Sequence, residues 1–452
     1  MSETSETSET QSSTSSLPFF ENEYNELRES IYEMMKEYIS DYVLNMSKTD
    51  YMSTIVDDIT HVLYQPLEDS GIISSIEYDS FRNFVDSVAN DWFYNNMDYC
   101  PHRNNFHTLE NTLIHSFGLN EEFALNYISN KLKTIYEKDA TNPAQRTPEW
   151  YLHRYNMLTA SNLYKALGSD SAKNSLIYEK CKPLETEYTE SKWISTEGSL
   201  HWGVKYEPLT VLLYEHLTGA KVGHFGCIVH SEYNFLGASP DGIVINPESH
   251  LYGRLVEIKN IYNRDMDGIP SEAYWVQTQI QMQCCDLPDC DFVETRFKEY
   301  ESKEAFLAEE DPDKRRGVIL HFIKRDATSN IPRYEYSPMS LSIDELDGWI
   351  ESITTTIDPE YILFMTHYWN LDDICMSTIY RNDAWFQAAF PQFKNIWETI
   401  LRERVEGYQH RSSKKRAPSI DLSDLSKGSI TVIKEPIANC YIRLTDEDRM
   451  EE

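Results

Sequence analysis

Residues 235–260, FLGASPDGIVINPESHLYGRLVEIKN, constrain this chain more than any other stretch. Acids are set into apolar runs there. Asp241 sits in a Ser-Pro-Asp-Gly turn, Glu257 sits in LVEIKN, and Lys259 follows two residues later. An exposed loop does not need the apolar neighbours, and a buried strand excludes charge unless something compensates it. KVGHFGCIVHS and NFLGASPDGIVI read as strands joined by a short turn at 232–234, and YGRLVEIKN reads as the next strand. Alternation along that last strand places Glu257 and Lys259 on one face and Ile258 on the other. If the strands are neighbours, Asp241, Glu257 and Lys259 converge. Two carboxylates and a backbone carbonyl form an oxygen-rich site of the kind that suits Mg2+ or Mn2+. A lysine beside them can orient a water or stabilise charge developing on a phosphate. The alternative reading of the same residues is a turn aspartate plus a Glu–Lys pair on an exposed strand face.

Three further segments stand around this pair. Upstream, EGSLHWGVKYEPLTVLLYEHLTG reads as a helix with Gly203 four residues before Glu207. Downstream, IPSEAYWVQTQIQMQCC reads as a helix carrying Tyr274 and Gln277. Earlier lies PEWYLHRYNMLTASNLYKAL, with Trp150, Arg154 and Ser161. Each has a plain structural reading. Glu207 can be a solvated or capping acid, and Gln277 can belong to an exposed stripe of Gln277, Gln279, Gln281 and Gln283. Arg154 can pair with Glu149, and Ser161 can cap the helix NLYKAL.

Together and in this order, SPDG…EIK, the GxxxE helix, the YxxQ helix and the R…TAS segment resemble the lambda-exonuclease/YqaJ-type viral recombinase family, PD-(D/E)xK nucleases that include the alkaline exonucleases of large DNA viruses. The resemblance spans roughly residues 145–300. It implies an α/β fold of restriction-endonuclease type, a central mixed sheet flanked by helices, with helical regions added at both ends. It further implies that Asp241, Glu257 and the carbonyl of Ile258 hold Mg2+ or Mn2+, with Glu207 supporting that site or a second ion. Lys259 would act with the attacking water, Gln277 would help orient the site, and Arg154 and Ser161 would hold a 5′-terminal phosphate. The implied activity is 5′→3′ exonuclease digestion of double-stranded DNA ends in recombination or replication-end processing. A single-strand annealing protein is the implied partner, and the implied place is intracellular, where viral DNA replicates. An endonuclease or RNA-degrading nuclease on the same fold, and an inactive scaffold, are the competing readings. The spacing between Asp241 and Glu257 departs from the pattern by a longer hairpin, NPESHLYG.

Composition bounds the rest. The 452 residues carry a net charge of −33, which argues against a general nucleic-acid sponge. Residues 1–140 hold 8 Lys and Arg against 25 Asp and Glu. No apolar run reaches membrane-spanning length, and MSETSETSETQSSTSS is not a secretory signal. Eight cysteines without regular spacing make no disulfide framework, and Cys284, Cys285 and Cys290 read as buried thiols rather than zinc ligands. The expected organisation is an acidic disordered tail at 1–18, a helical region at 19–140 forming a separate or peripheral unit, and a nuclease core at 145–345. A helical region at 346–408 follows, opened by a Ser342/Glu345 cap, then a basic linker and short tail at 409–452. The basic run HRSSKKRAPS is either a nuclear-import signal or a solvated loop.

Overall fold

In the computed structural model, residues 17–96, 121–144, 147–184, 196, 198–326 and 331–412 are described. The expected disordered tail up to residue 16 and the chain from 413 onward, which includes most of the basic run, lie outside the described residues. The helices are α1 Glu21–Asp41, α2 Tyr51–Asp69, α3 Tyr78–Asn95, α4 Glu121–Asp139, α5 Pro148–Tyr155, α6 Ala160–Leu163, α7 Asp170–Cys181, α8 Ser199–Thr218, α9 Glu272–Cys285, α10 Lys303–Leu307, α11 Leu346–Thr356 and α12 Asp383–Glu406. The strands are β1 Leu158–Thr159, β2 Val222–Gly223, β3 Ile228–Val229, β4 Leu236–Ala238, β5 Gly242–Val244, β6 Leu255–Asn260, β7 Asp289–Glu299, β8 Arg316–Lys324, β9 Arg333–Tyr336 and β10 Tyr361–Tyr380.

Among the described residues the strands form a mixed sheet in the order β2-β5-β6-β7-β10-β8-β9 and a small sheet in the order β1-β4-β3. β6 and β7 run parallel, with Glu257 opposite Phe292 and Lys259 opposite Glu294. β5 and β6 run antiparallel, with Gly242 opposite Val256. Helices flank the sheet, which is the α/β architecture the sequence led us to expect. On one face α8 lays Val211 and Tyr214 against Val256, Ile258 and Val293. On the other, α9 packs Trp275, Val276 and Ile280 with Leu255, Cys290 and Phe292. Both faces of β6 are therefore covered, which explains the near-continuous apolar run in which its two charges stand out.

Two expectations fail here. The stretch 346–408 is not helical throughout: β10 occupies the middle of it, hydrogen-bonded to β7 on one side and β8 on the other. YILFMTHYWNLDDICMSTIY is rich in aromatic and β-branched residues and has no helical stripe. Two register shifts, at Leu371/Asp373 and Leu363/Met365, bend it and blur its alternation. α11 and α12 on either side are helical, and Ser342 and Glu345 form the capping box. The N-terminal helices are not a separate unit either. Leu17, Ile31, Met35, Ile55, Phe81 and Val85 share one core with Trp275 of α9 and Trp385 of α12. Ser47 donates to Glu272 at the start of α9 at 3.1 Å, and buried Met46 accepts from Asn382. α4 also presses on the hairpin before β6. Gly253 has φ +85°, and a Cβ there would lie 2.3 Å from Ile128 of α4. Only glycine allows both that backbone and that approach.

Candidate active site

The site begins with β6. Glu257 is fully buried on the α9 side, and three donors converge on it. Lys259 and Gln277 (2.6 Å) bond Oε1, and Gln281 bonds Oε2 at 2.6 Å. Tyr274, Gln277 and Gln281 lie at positions i, i+3 and i+7 of α9, so one helix face delivers them together. The Lys259 ammonium lies 4.8 Å from the centre of the Tyr274 ring. Ser271 starts the helix by accepting from the Tyr274 N–H. The exposed glutamine stripe does not exist. Gln279 is buried, donating to the Tyr380 carbonyl and accepting from the Asn382 N–H, both at 2.8 Å, while Gln283 bonds Asp383.

Asp241 immediately precedes β5, and its Oδ2 accepts the Ile258 N–H at 2.7 Å. The N–H and C=O of one residue leave a strand on the same side, so the Ile258 carbonyl also faces Asp241. Desolvation pushes the Asp241 carboxyl well above the usual carboxylate range. The charges of Glu257 and Glu207 push the same way, and Lys259 and the Ile258 N–H only partly offset them. Burial works to lower the Lys259 pKa, but Glu257 and Asp241 carry it above the ordinary lysine range. The pocket thus holds more negative charge than its own lysine neutralises. Two carboxylates and a carbonyl in such a field are a hard-cation donor set, and Mg2+ or Mn2+ fits it. Glu207, on exposed α8 surface, acts on Asp241 through its charge. Among the described residues, no three His, Cys, Asp or Glu side chains are close enough to hold an ion by themselves.

The second group of predicted residues is brought only partly together. Thr147 caps α5 by accepting the Trp150 N–H, and Pro148 opens the helix. Arg154, one turn on from Trp150, lies 4.7 Å from that indole and donates to Ser239 Oγ at 3.4 Å. Ser239 belongs to the SPDG turn, so Arg154 reaches the turn that carries Asp241. Ser161 is exposed in four-residue α6, where Thr159, not Ser161, is the N-cap residue. Lys180 is buried and donates to the Arg154 carbonyl at 2.8 Å. Burial, aided by Arg154, lowers its pKa to about 8. Cys284, Cys285 and Cys290 are free and buried, as expected.

Sequence reasoning passed over Gln281, Ser239 and Lys180. The signal for Gln281 was its position one turn beyond Gln277, and that for Ser239 was its place in the turn. Lys180 left no local signal.

Residues 149–288 of this α/β chain match the YqaJ-like viral recombinase domain. That span contains every predicted site residue. An uncharacterized protein of Acanthamoeba polyphaga mimivirus is 25% identical over 312 residues, 61% of this chain and 56% of the relative. The chain therefore covers little more than half the length of that relative. An alkaline exonuclease of Laribacter hongkongensis, also solved in complex with dAMP, is similar at 20% identity and a TM-score of 0.34, covering 57% of this chain and 94% of that one. Among the described residues, no helix is long and apolar enough to cross a membrane.

Proposed function

We propose that this protein is a divalent-metal-dependent DNA exonuclease that digests linear duplex DNA from its 5′ ends, in the processing of viral DNA for recombination or replication. The observation that carries this reading is the excess negative charge around Asp241, Glu257 and the Ile258 carbonyl, with one lysine beside it. A cation bound there would draw charge from the scissile phosphate and acidify a water. Glu257, locked by Gln277 and Gln281, and Asp241, anchored on the β6 backbone, would hold it. Lys259 orients the attacking water and stabilises charge developing on the phosphate. Arg154 offers a planar fork beside the same turn, suited to a terminal phosphate dianion, and Ser161, exposed on α6, is the second residue proposed to meet it. A single-strand annealing protein would take up the strand left by digestion.

The test is digestion of linear and closed circular duplex DNA by wild type and Asp241→Asn, with Mg2+ and with EDTA. The reading expects loss of linear DNA only, in Mg2+ only, and by the wild type only. Cleavage of circles would favour an endonuclease, degradation of RNA instead of DNA an RNA-directed enzyme, and no cleavage of either a scaffold.

A further inference from the structure

We infer that Glu294, an acid outside both the motif and the span of the family match, is a positioning residue for Lys259. Glu294 stands on β7 directly opposite Lys259 in the parallel β6–β7 ladder. Paired residues on neighbouring strands project from the same face with their Cα atoms about 5 Å apart. Glu294 is fully buried. Arg264, in the loop that leaves β6, binds its Oε1, and the Arg264 carbonyl is in turn held by Arg296 at 3.0 Å. The second oxygen, Oε2, is buried and has no hydrogen-bond partner among the described residues. An unpaired carboxylate oxygen in that setting is costly, so its presence calls for a donor. Lys259 is the neighbouring cation whose charge acts on Glu294 besides Arg264.

The arrangement supplies what the proposed chemistry lacks. Lys259 bonds Glu257 here, yet Glu257 is also a ligand of the proposed cation site. An ammonium has three donor hydrogens and needs a fixed partner to keep its direction when Glu257 turns to a cation. Glu294 is that partner. Arg264 cancels its charge, so this additional acid does not deepen the excess negative charge around Asp241. Both consequences rest on the proposed cation site, and only the kinetic one rests on the nuclease reading as well.

The experiment therefore reads both. Full-length wild type, Glu294→Gln and Glu294→Asp are treated with acetic anhydride, with and without saturating Ca2+ as a probe of the donor set. Modification of Lys259 is followed by mass spectrometry. In wild type, Ca2+ should change the labelling rate by less than about twofold, whereas in Glu294→Gln it should raise it about fivefold or more, in line with loss of a charge-assisted hydrogen bond. Glu294→Asp, which keeps the charge with a shorter reach, should fall between, and it decides the matter if Glu294→Gln does not fold. In parallel, Glu294→Gln should lower kcat on linear DNA about 10- to 100-fold with KM within about twofold. Equal Lys259 labelling in wild type and the variants with Ca2+ overturns the positioning role, as does an unchanged kcat in an active enzyme. If wild type cleaves no DNA, the nuclease reading falls and the labelling alone decides the role of Glu294.

Discussion

Gln281→Leu tests how the buried carboxylate is held. Gln281 donates to Glu257 Oε2 at 2.6 Å and, at 3.3 Å, to the Ser239 carbonyl. Its own Oε1 has no hydrogen-bond partner among the described residues, so removing that atom costs nothing. Leucine nearly conserves the side-chain volume, which keeps any cavity contribution small. The loss is then that of a hydrogen bond to a charged group, roughly 1.5–3 kcal/mol, with little added by the longer bond. Unfolding in urea without divalent cations should show a lower midpoint and an unchanged slope, giving a loss of about 2–3 kcal/mol. Because Gln281 orients a proposed ligand, Mg2+ affinity measured by calorimetry should fall about 10- to 100-fold. A stability loss below about 0.5 kcal/mol would refute the claim that this glutamine offsets the buried charge of Glu257.

Arg154→Ala should abolish the preference of the wild type for 5′-phosphorylated over 5′-hydroxyl duplex ends, about tenfold or more, while Mg2+ affinity stays unchanged; initial rates on the two ends check it. Burial works against the Glu299 carboxylate, but hydrogen bonds from His367, Lys205 and Tyr206 hold its pKa at about 2, below the ordinary 4.5. A depressed carboxylate stabilises the fold above its unfolded pKa and loses that contribution as pH falls through its folded one. Glu299→Gln should therefore cost about 2 kcal/mol at pH 7, with the gap to wild type closing between about pH 4.5 and pH 2 in urea titrations.

How much of this was legible in the sequence depends on how local each signal was. Glu257 and Lys259 are two residues apart on a strand, so their shared face follows from alternation alone. Asp241 joins them through one antiparallel pairing, which the intervening hairpin already implied. Lys180 and Ser239 come to Arg154 only through tertiary packing, so no spacing announced them. β10 escaped because its bulges disturb its alternation and because its partners β7 and β8, paired with it across 70–91 and 37–54 residues, must be in place before it reads as a strand. The acidic N-terminal helices misled in another way. Their outward faces carry the charge that suggested independence, while Ile31, Ile55 and Phe81 on the inward faces are buried in the core they share with α9. Glu294 looked like one more strand residue until the parallel register set it beside Lys259.

The most direct measurement is the release of acid-soluble nucleotides from a linear 5′-phosphorylated duplex labelled at one end. It compares wild type, Asp241→Asn and Lys259→Ala, each in Mg2+ and in EDTA. The account predicts release from the 5′ end by the wild type in Mg2+ alone, with both variants slower by several orders of magnitude. Near-wild-type release by Asp241→Asn in Mg2+, or undiminished release in EDTA, would contradict it.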